Sequence, residues 1–297
     1  MRHVLDGAVP KRTYIDDVQL SIIGFGGMLV VGIEQSKVNR IVGEAVDLGV
    51  NYFDVAPLYG DGEAEEKLGV ALRPYRERVF LACKTMQRDS VNAQKELDRS
   101  LKRLRTDHFD LYQFHRVCTS DDVRRIFCTG GAVETFERAR EQGKVRFLGF
   151  SAHTVEAALA MMDRFHFDSV MFPINFVCYA SKRFGPQVLK RAREEGLARL
   201  ALKALAHGPL SEGEKAKYPN LWYRPIDDQE LAREALRFTL TEDITALIPP
   251  GDEQHFRLAL NLAASFEPLS QKERSELLAS AQGLQSLVAG LASPLRP

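Results

Sequence analysis

The chain has no excess charge of either sign, with 40 lysines and arginines against 40 aspartates and glutamates in 297 residues. No bulk field draws it to nucleic acid or to an anionic membrane, so neither partner is expected. It also lacks any run of about 18 apolar residues, the minimum for a membrane-spanning helix. Its start, MRHVLDGAVPKRTY, has neither a long apolar core nor a small-residue cleavage site, so a cytoplasmic location is the default expectation. Cysteine is sparse. Cys83, Cys118, Cys128 and Cys178 stand far apart without CxxC or Cys/His spacing, which excludes a zinc motif and a disulfide framework and leaves reduced, packing thiols. Cys83 adjoins Lys84, but neighbours in a strand point to opposite faces. There is no Pro/Gly/Ser-rich linker and no low-complexity tract, and GFGG at 24–27 lacks the GxGxxG spacing of a dinucleotide-binding βαβ turn.

What is present is ordinary in composition, 45% hydrophobic and 27% charged, enough for a substantial core. RTYIDDVQLSIIGFGG reads as a hairpin turning at Asp16-Asp17 and running into a strand that ends near Gly24. Strand-like runs then recur at 50–55, 79–84, 109–115, 145–151, 169–175, 197–204 and 243–249. Between them, and after the last, lie stretches of helical spacing: SKVNRIVGEAVDLG, EAEEKLGVALRPY, NAQKELDRSLKRLR, AVETFERAREQG, TVEAALAMMDRF, FGPQVLKRAREEG, DQELAREALRFTL and EQHFRLALNLAASF. Strict βα alternation implies a parallel sheet, because parallel neighbours need a crossover. Eight such units in ~250 residues suit a closed (β/α)8 TIM barrel better than an open sheet of about six strands. One domain is the simpler reading. The stretch SQKERSELLASAQGLQSLVAGL is expected to form a C-terminal helical tail on the outside of the barrel.

In such a barrel, function gathers at the C-terminal ends of the strands. The polar residues there are Asp54, Lys84, His115, Ser151 and Asn175, with Tyr59 on the turn after the second strand. Asp54 and Lys84 each interrupt an apolar strand, and burying either charge alone would cost several kcal/mol, so adjacent strands are expected to pair them. Two readings stay open: an ion pair that merely closes the barrel mouth, or one that tunes a neighbour. A lysine beside the Tyr59 phenol is expected to lower its pKa, fitting it to exchange a proton with a carbonyl or alcohol oxygen that His115 orients.

These four residues, in this order on consecutive strands, resemble the aldo-keto reductase family. The likeness runs through GFGGM (24–28), NYFDVAPLYG (51–60), LACKT (81–85), SLKRLRTDHFDLYQFH (100–115), VRFLGFS (145–151) and IPPGDEQHFRLALN (248–261). The resemblance implies a single domain over residues 1–297, an N-terminal β-hairpin across the barrel bottom, and a nicotinamide cofactor bound without a metal. Tyr59 is then the acid/base, Lys84 and Asp54 its tuning pair, and His115 the group that orients the substrate. Cofactor contacts carry over to Gly26, Gly27, Met28, Ser151, Asn175, Lys203, Gly251, Asp252, Arg257 and Asn261. NADP is the expected cofactor, with NAD open because Asp252 would repel a 2′-phosphate that Arg257 would attract. Lys203 stands where an aromatic residue often stacks on the nicotinamide, and is expected to meet cofactor phosphates or a substrate acid.

The implied partner is a small carbonyl or alcohol. Its pocket is expected from Met28, Arg116, the loop with Phe127 and Cys128, Phe176, Tyr179, and a loop carrying Trp222, Tyr223 and Arg224. Two competing readings are an NAD-linked sugar or hydroxy-compound dehydrogenase and a cofactor-binding, redox-sensing regulatory subunit. Oligomeric state is not legible.

Overall fold

A computed structural model describes residues 8–182, 184–214 and 217–287; the chain's start and the end of the C-terminal amphipathic stretch lie outside the described residues. The expected hairpin forms. Strands β1 (Lys11–Thr13) and β2 (Gln19–Ser21) pair antiparallel, and Asp16 makes the turn at φ +50°, a conformation that aspartate tolerates. Tyr14 follows β1 and points into the barrel floor, where its ring meets Phe80 (5.0 Å) and Phe147 (5.2 Å) and its hydroxyl reaches Ser169 Oγ (2.9 Å). The hairpin is the plug at the bottom.

The barrel strands are β3 (Phe25–Gly26), β4 (Tyr52–Asp54), β5 (Phe80–Thr85), β6 (Phe109–Val117), β7 (Val145–Ala152), β8 (Ser169–Pro173) and β9 (Ala198–Leu202). A short antiparallel pair, β10 (Ala206–Pro209) and β11 (Tyr223–Pro225), precedes the last one, β12 (Ala246–Ile248). Eight of these form one sheet in sequence order from β3 to β9 and then β12, each parallel to its neighbour. The ring closes where Gly24 N–H donates to Leu247 O (2.8 Å) and Leu247 N–H to Ile22 O (2.9 Å).

Crossover helices α1 (Gln35–Asp47), α2 (Glu63–Ala71) and α3 (Ser90–Leu104) cover the first strands. Then come α4 (Ser120–Phe127), α5 (Val133–Glu141), α6 (Val155–Met162), α7 (Phe176–Lys182), α8 (Pro186–Glu194), α9 (Gln229–Thr241) and α10 (Glu253–Ala264). The tail helix α11 (Gln271–Ser280) lies outside, held by the ion pairs Arg237–Glu273 and Arg274–Glu242 and by buried Leu277. No helix among the described residues is long and apolar enough to cross a membrane.

Period-two alternation divides each strand. Tyr52, Phe80, Ala82, Leu111, Phe147, Met171, Leu200 and Ala246 fill the barrel interior as a cluster separate from the core under the helices. Continuing the same inward face upward gives Asp54, Lys84, Gln113, His115 and Ser151, all buried. The apolar floor thus carries a polar upper layer, which is where the chemistry sits.

Three segments expected as loops belong to ordered elements. The stretch with Phe127 ends α4, capped by reciprocal hydrogen bonds between Thr119 and Asp122, and Phe127 packs towards Phe165 and Phe167 (6.5 Å each) rather than into the mouth. Cys128 is exposed. Phe176 and Tyr179 lie on α7, buried against Phe238 of α9 (6.5 and 5.2 Å), so they are core and not pocket residues. Trp222–Arg224 likewise belong to the β10–β11 strap. That strap is pinned twice: Asn220 Nδ2 donates to Val31 O (3.1 Å) and Met28 O (3.3 Å), and Asp227 reaches His255 Nε2 (3.1 Å) at the start of α10.

His255 is buried between two carboxylates, with Nδ1 2.8 Å from Asp252 Oδ2; Asp227 also takes the Lys217 ammonium (2.6 Å) and the Tyr218 hydroxyl. Burial alone would lower the histidine pKa, but Asp252 and then Asp227 outweigh it and raise it above 6.5. A group whose folded pKa is raised stabilises most below its unfolded value and loses that contribution as pH rises through the folded value. The melting temperature of His255→Gln should therefore fall below that of the parent by about 2–4 °C at pH 6. The gap should narrow by pH 9, as a thermal-shift series would show; a gap that widens with pH contradicts the clamp.

Candidate active site

The site begins with one register. Lys84 of β5 and Asp54 of β4 both face inward at the barrel's upper rim, and the lysine ammonium hydrogen-bonds Asp54 Oδ2 with both side chains almost fully buried. The other carboxylate oxygen accepts from Gln113 Nε2 (3.2 Å) and Tyr52 Oη (3.4 Å). Burial would lower the lysine pKa, yet Asp54 first and Tyr59 second raise it, so the ammonium stays charged. Cys83 faces the opposite way, towards Glu65 (3.6 Å), and burial pushes its thiol well up.

Tyr59 is returned over the mouth by a tight turn. Its N–H donates to Ala56 O (3.0 Å), and Gly60 (φ +62°), Asp61 (φ +51°) and Gly62 (φ +94°) then run left-handed into α2. Two glycines meet the steric demand of that path. Lys84 Nζ comes 5.4 Å from the Tyr59 ring centre, and His115 meets the same ring edge-on at 5.8 Å and 88°. The expected lowering of the phenol pKa does not hold: burial raises it, and Lys84 only partly offsets this. Tyr59 therefore keeps its proton at neutral pH. Burial, then Lys84 and His153, push His115 well below the usual imidazole range, leaving it neutral, with its Nδ1 lacking a partner among the described residues.

Sequence reasoning missed the supports around this pair. Arg88, buried and paired to Asp122 (2.9 Å), donates to His115 O (2.8 Å) and Arg116 O (3.3 Å), bracing the strand tip where Arg116 adopts φ +55°. Arg116 N–H donates to Ser151 Oγ (2.8 Å). An inward alternation count from His115 would have found Gln113; nothing local marks Arg88.

The remaining candidates divide. Gly26, Gly27 and Met28 form the β3 turn, and Gly251 packs so closely on it that a Cβ there would lie 2.5 Å from Met28 Cβ. Asp252 caps α10. Asn175 is fully used within the chain: its Nδ2 donates to Lys203 O (3.0 Å) and Ala206 O (2.6 Å), and its Oδ1 accepts from Val177 and Cys178 N–H. It clasps β9's exit to α7. Arg257 is drawn to the outer face, bound to Glu44 of α1 and to Glu253 (2.9 Å), and Asn261 is exposed one turn on. Lys203 lies over Tyr223 (4.4 Å) and Trp222 (4.6 Å), and Arg224 turns to His207 (2.7 Å).

A dinucleotide fits this arrangement at its nicotinamide end, since Ser151 Oγ accepts from Arg116 and keeps its own hydrogen to donate. At the adenosine end, Arg257 is already engaged, by Glu44 at Nη2 and by Glu253 at Nε. Among the described residues no cluster of three or more His, Cys, Asp or Glu is placed to hold a metal.

Removing one partner of the central pair strands a buried charge. Lys84→Met is expected to cost about 3–5 kcal/mol in urea denaturation, and Gln113→Leu about 1 kcal/mol. A Lys84→Met loss under 1 kcal/mol would show that Asp54 needs no counter-ion.

The model of the aldo/keto reductase family matches residues 22–278. Among curated relatives, the uncharacterized oxidoreductase YqkF of Bacillus subtilis is 28% identical over 68% of this chain and 65% of its own, and the aldo-keto reductase YhdN of the same organism is 29% identical over 65% and 60%. The chain thus spans less than two thirds of the length of either relative. Among solved structures, the aldo-keto reductase AKR11C1 from Bacillus halodurans in its holo form superposes with a TM-score of 0.73 at 23% identity, covering 94% of this chain and 98% of that one. A Klebsiella pneumoniae aldo-keto reductase in complex with NADPH gives 0.66 at 22% identity over 94% of each. With the family's model covering most of the chain and a barrel whose rim carries the Asp54–Lys84 pair beside Tyr59 and His115, the chain belongs to the aldo/keto reductase family.

Proposed function

We propose that the chain is an NADP(H)-dependent oxidoreductase that reduces an aldehyde or ketone, or oxidises the corresponding alcohol. The observation that carries this is the Tyr59 phenol held between a buried lysine–aspartate pair and the His115 imidazole at the strand ends. When bound, the nicotinamide supplies or takes the hydride. Tyr59 gives its proton to the substrate oxygen in reduction and takes one back in oxidation. The raised phenol pKa suits it to the acid role, and Lys84 stabilises the phenolate left behind. Asp54, itself held by Gln113, keeps the ammonium in place. His115, uncharged, offers a hydrogen bond to the substrate oxygen without competing for the proton. Ser151 would hold the carboxamide, and Arg257 the 2′-phosphate once it exchanges Glu44 for it. The NADPH complex of the Klebsiella relative supports the choice of cofactor.

Turnover of an aldehyde panel with NADPH should fall roughly 10²–10⁴-fold in Tyr59→Phe while NADPH affinity holds. Because the phenol pKa lies above its usual value, the reductive rate should stay level through neutral pH and decline only at strongly basic pH, with oxidation rising over that range. Bound cofactor with no hydride transfer to any carbonyl, and no effect of the substitution, would favour the sensing subunit instead.

Glu44, bound to Arg257, and Asp252, the cap of α10, favour a second reading, NAD use by a hydroxy-compound dehydrogenase, since a carboxylate beside the adenosine would repel a 2′-phosphate. Equilibrium titration decides between them. Arg257→Ala should weaken NADPH at least about fivefold and leave NADH unchanged; tighter binding of NADH than NADPH by the parent selects NAD.

A further inference from the structure

We propose that Lys203, with Arg116 beside it, forms an anion seat at the barrel mouth that selects carbonyl substrates bearing their own carboxylate or phosphate; this rests on the carbonyl-reducing reading above. Four observations carry it. No carboxylate among the described residues offsets the Lys203 ammonium, which lies over the faces of Trp222 and Tyr223, at 4.6 and 4.4 Å. Its backbone is left-handed, at φ +69°, in a turn secured by Asn175 through Lys203 O (3.0 Å), so the side chain leaves a fixed point. The two aromatic rings lie on the strap that Asn220 and Asp227 fasten across the mouth, and burial, Asp252 and then the nearby Tyr59 raise the Tyr223 phenol. Arg116 follows His115 at the strand tip braced by Arg88, and its cation is near enough to Lys203 to disfavour the lysine's charge.

Burial, and then Arg116, push the Lys203 ammonium down to about 7, as a cation without a counter-ion requires. An anion placed there supplies the missing charge and recovers part of the desolvation cost, a gain that a neutral substrate of the same shape does not offer. The adenosine end of the cofactor is expected at α10, around Asp252 and Arg257, whereas Lys203 lies over Tyr223, whose phenol interacts with Tyr59 at the reacting end. The seat is therefore assigned to the substrate and not to the cofactor.

The test uses the full chain and two aldehydes of matched shape, 4-carboxybenzaldehyde and 4-formylbenzamide. With NADPH, kcat/KM for the carboxylate should exceed that for the amide by at least about tenfold. Lys203→Met should bring the ratio towards one, Lys203→Arg should retain most of it, and NADPH affinity should stay within about twofold in both. Trp222 is the single tryptophan, so its fluorescence reports on the seat without turnover. Benzoate should shift that emission in the NADP+-saturated protein and benzamide should not, with the difference lost in Lys203→Met. Equal kcat/KM for the two aldehydes together with no benzoate response overturns the seat. So does a Lys203→Met variant that keeps the carboxylate preference but loses NADPH affinity, which gives the lysine to the cofactor phosphates. If neither aldehyde turns over and benzoate still binds through Lys203, the carbonyl-reducing reading fails while the seat stands.

Discussion

The buried contact between Lys84 and Asp54 is the constraint on which the upper barrel depends. Neither charge is tolerable alone in a strand interior, and a buried pair is a poor source of net stability compared with apolar packing. What it provides is position. The pair fixes an ammonium under the Tyr59 phenol, and it draws Gln113 and Tyr52 into the same layer to satisfy the remaining carboxylate oxygen. The layer beneath, from Tyr52 and Phe80 to Phe147, is closed from below by Tyr14 of the hairpin. The polar layer therefore rests on a packed floor and opens only upward.

The mouth is assembled from segments far apart in sequence. The β3 turn at Met28, the β10–β11 strap and the start of α10 are joined by Asn220, by Asp227 with His255, and by the contact of Gly251 with Met28. Arg88 does the same for the tips of β6 and β7, holding the backbone of His115 and Arg116 while Ser151 accepts from Arg116. Each fastening uses a side chain to satisfy backbone groups of a turn, the usual way in which irregular segments are made rigid. The rim is thus stiff at His115 and braced on both sides of Lys203, whose ammonium rests on aromatic faces.

The eight strands, the hairpin and the four residues Asp54, Tyr59, Lys84 and His115 were legible because each leaves a local trace: alternation, turn residues, or a polar group in an apolar run. Helix α7 left none, since Phe176, Val177, Cys178 and Tyr179 are all apolar and buried, so no helical stripe shows and Phe176 and Tyr179 looked like pocket residues. Helix α4 did carry a signal in Thr119 and Asp122, a capping pair read instead as loop. The strap looked like a loop because two short strands pair only with each other.

By itself the sequence determined the order of βα units and which side chains meet at the strand ends, because period-two alternation and right-handed crossovers leave little freedom in a parallel barrel. Only the tertiary structure decided the electrostatics. Whether a phenol gives up or keeps its proton depends on the balance of burial against a neighbouring ammonium, and at Tyr59 burial wins. Whether a polar group is free for a ligand depends on partners distant in the chain: Asn175 is consumed, Arg257 is engaged by Glu44, and Lys203 is left over two aromatic rings. Pattern along a chain gives direction and spacing, while charge compensation is a property of the packed volume.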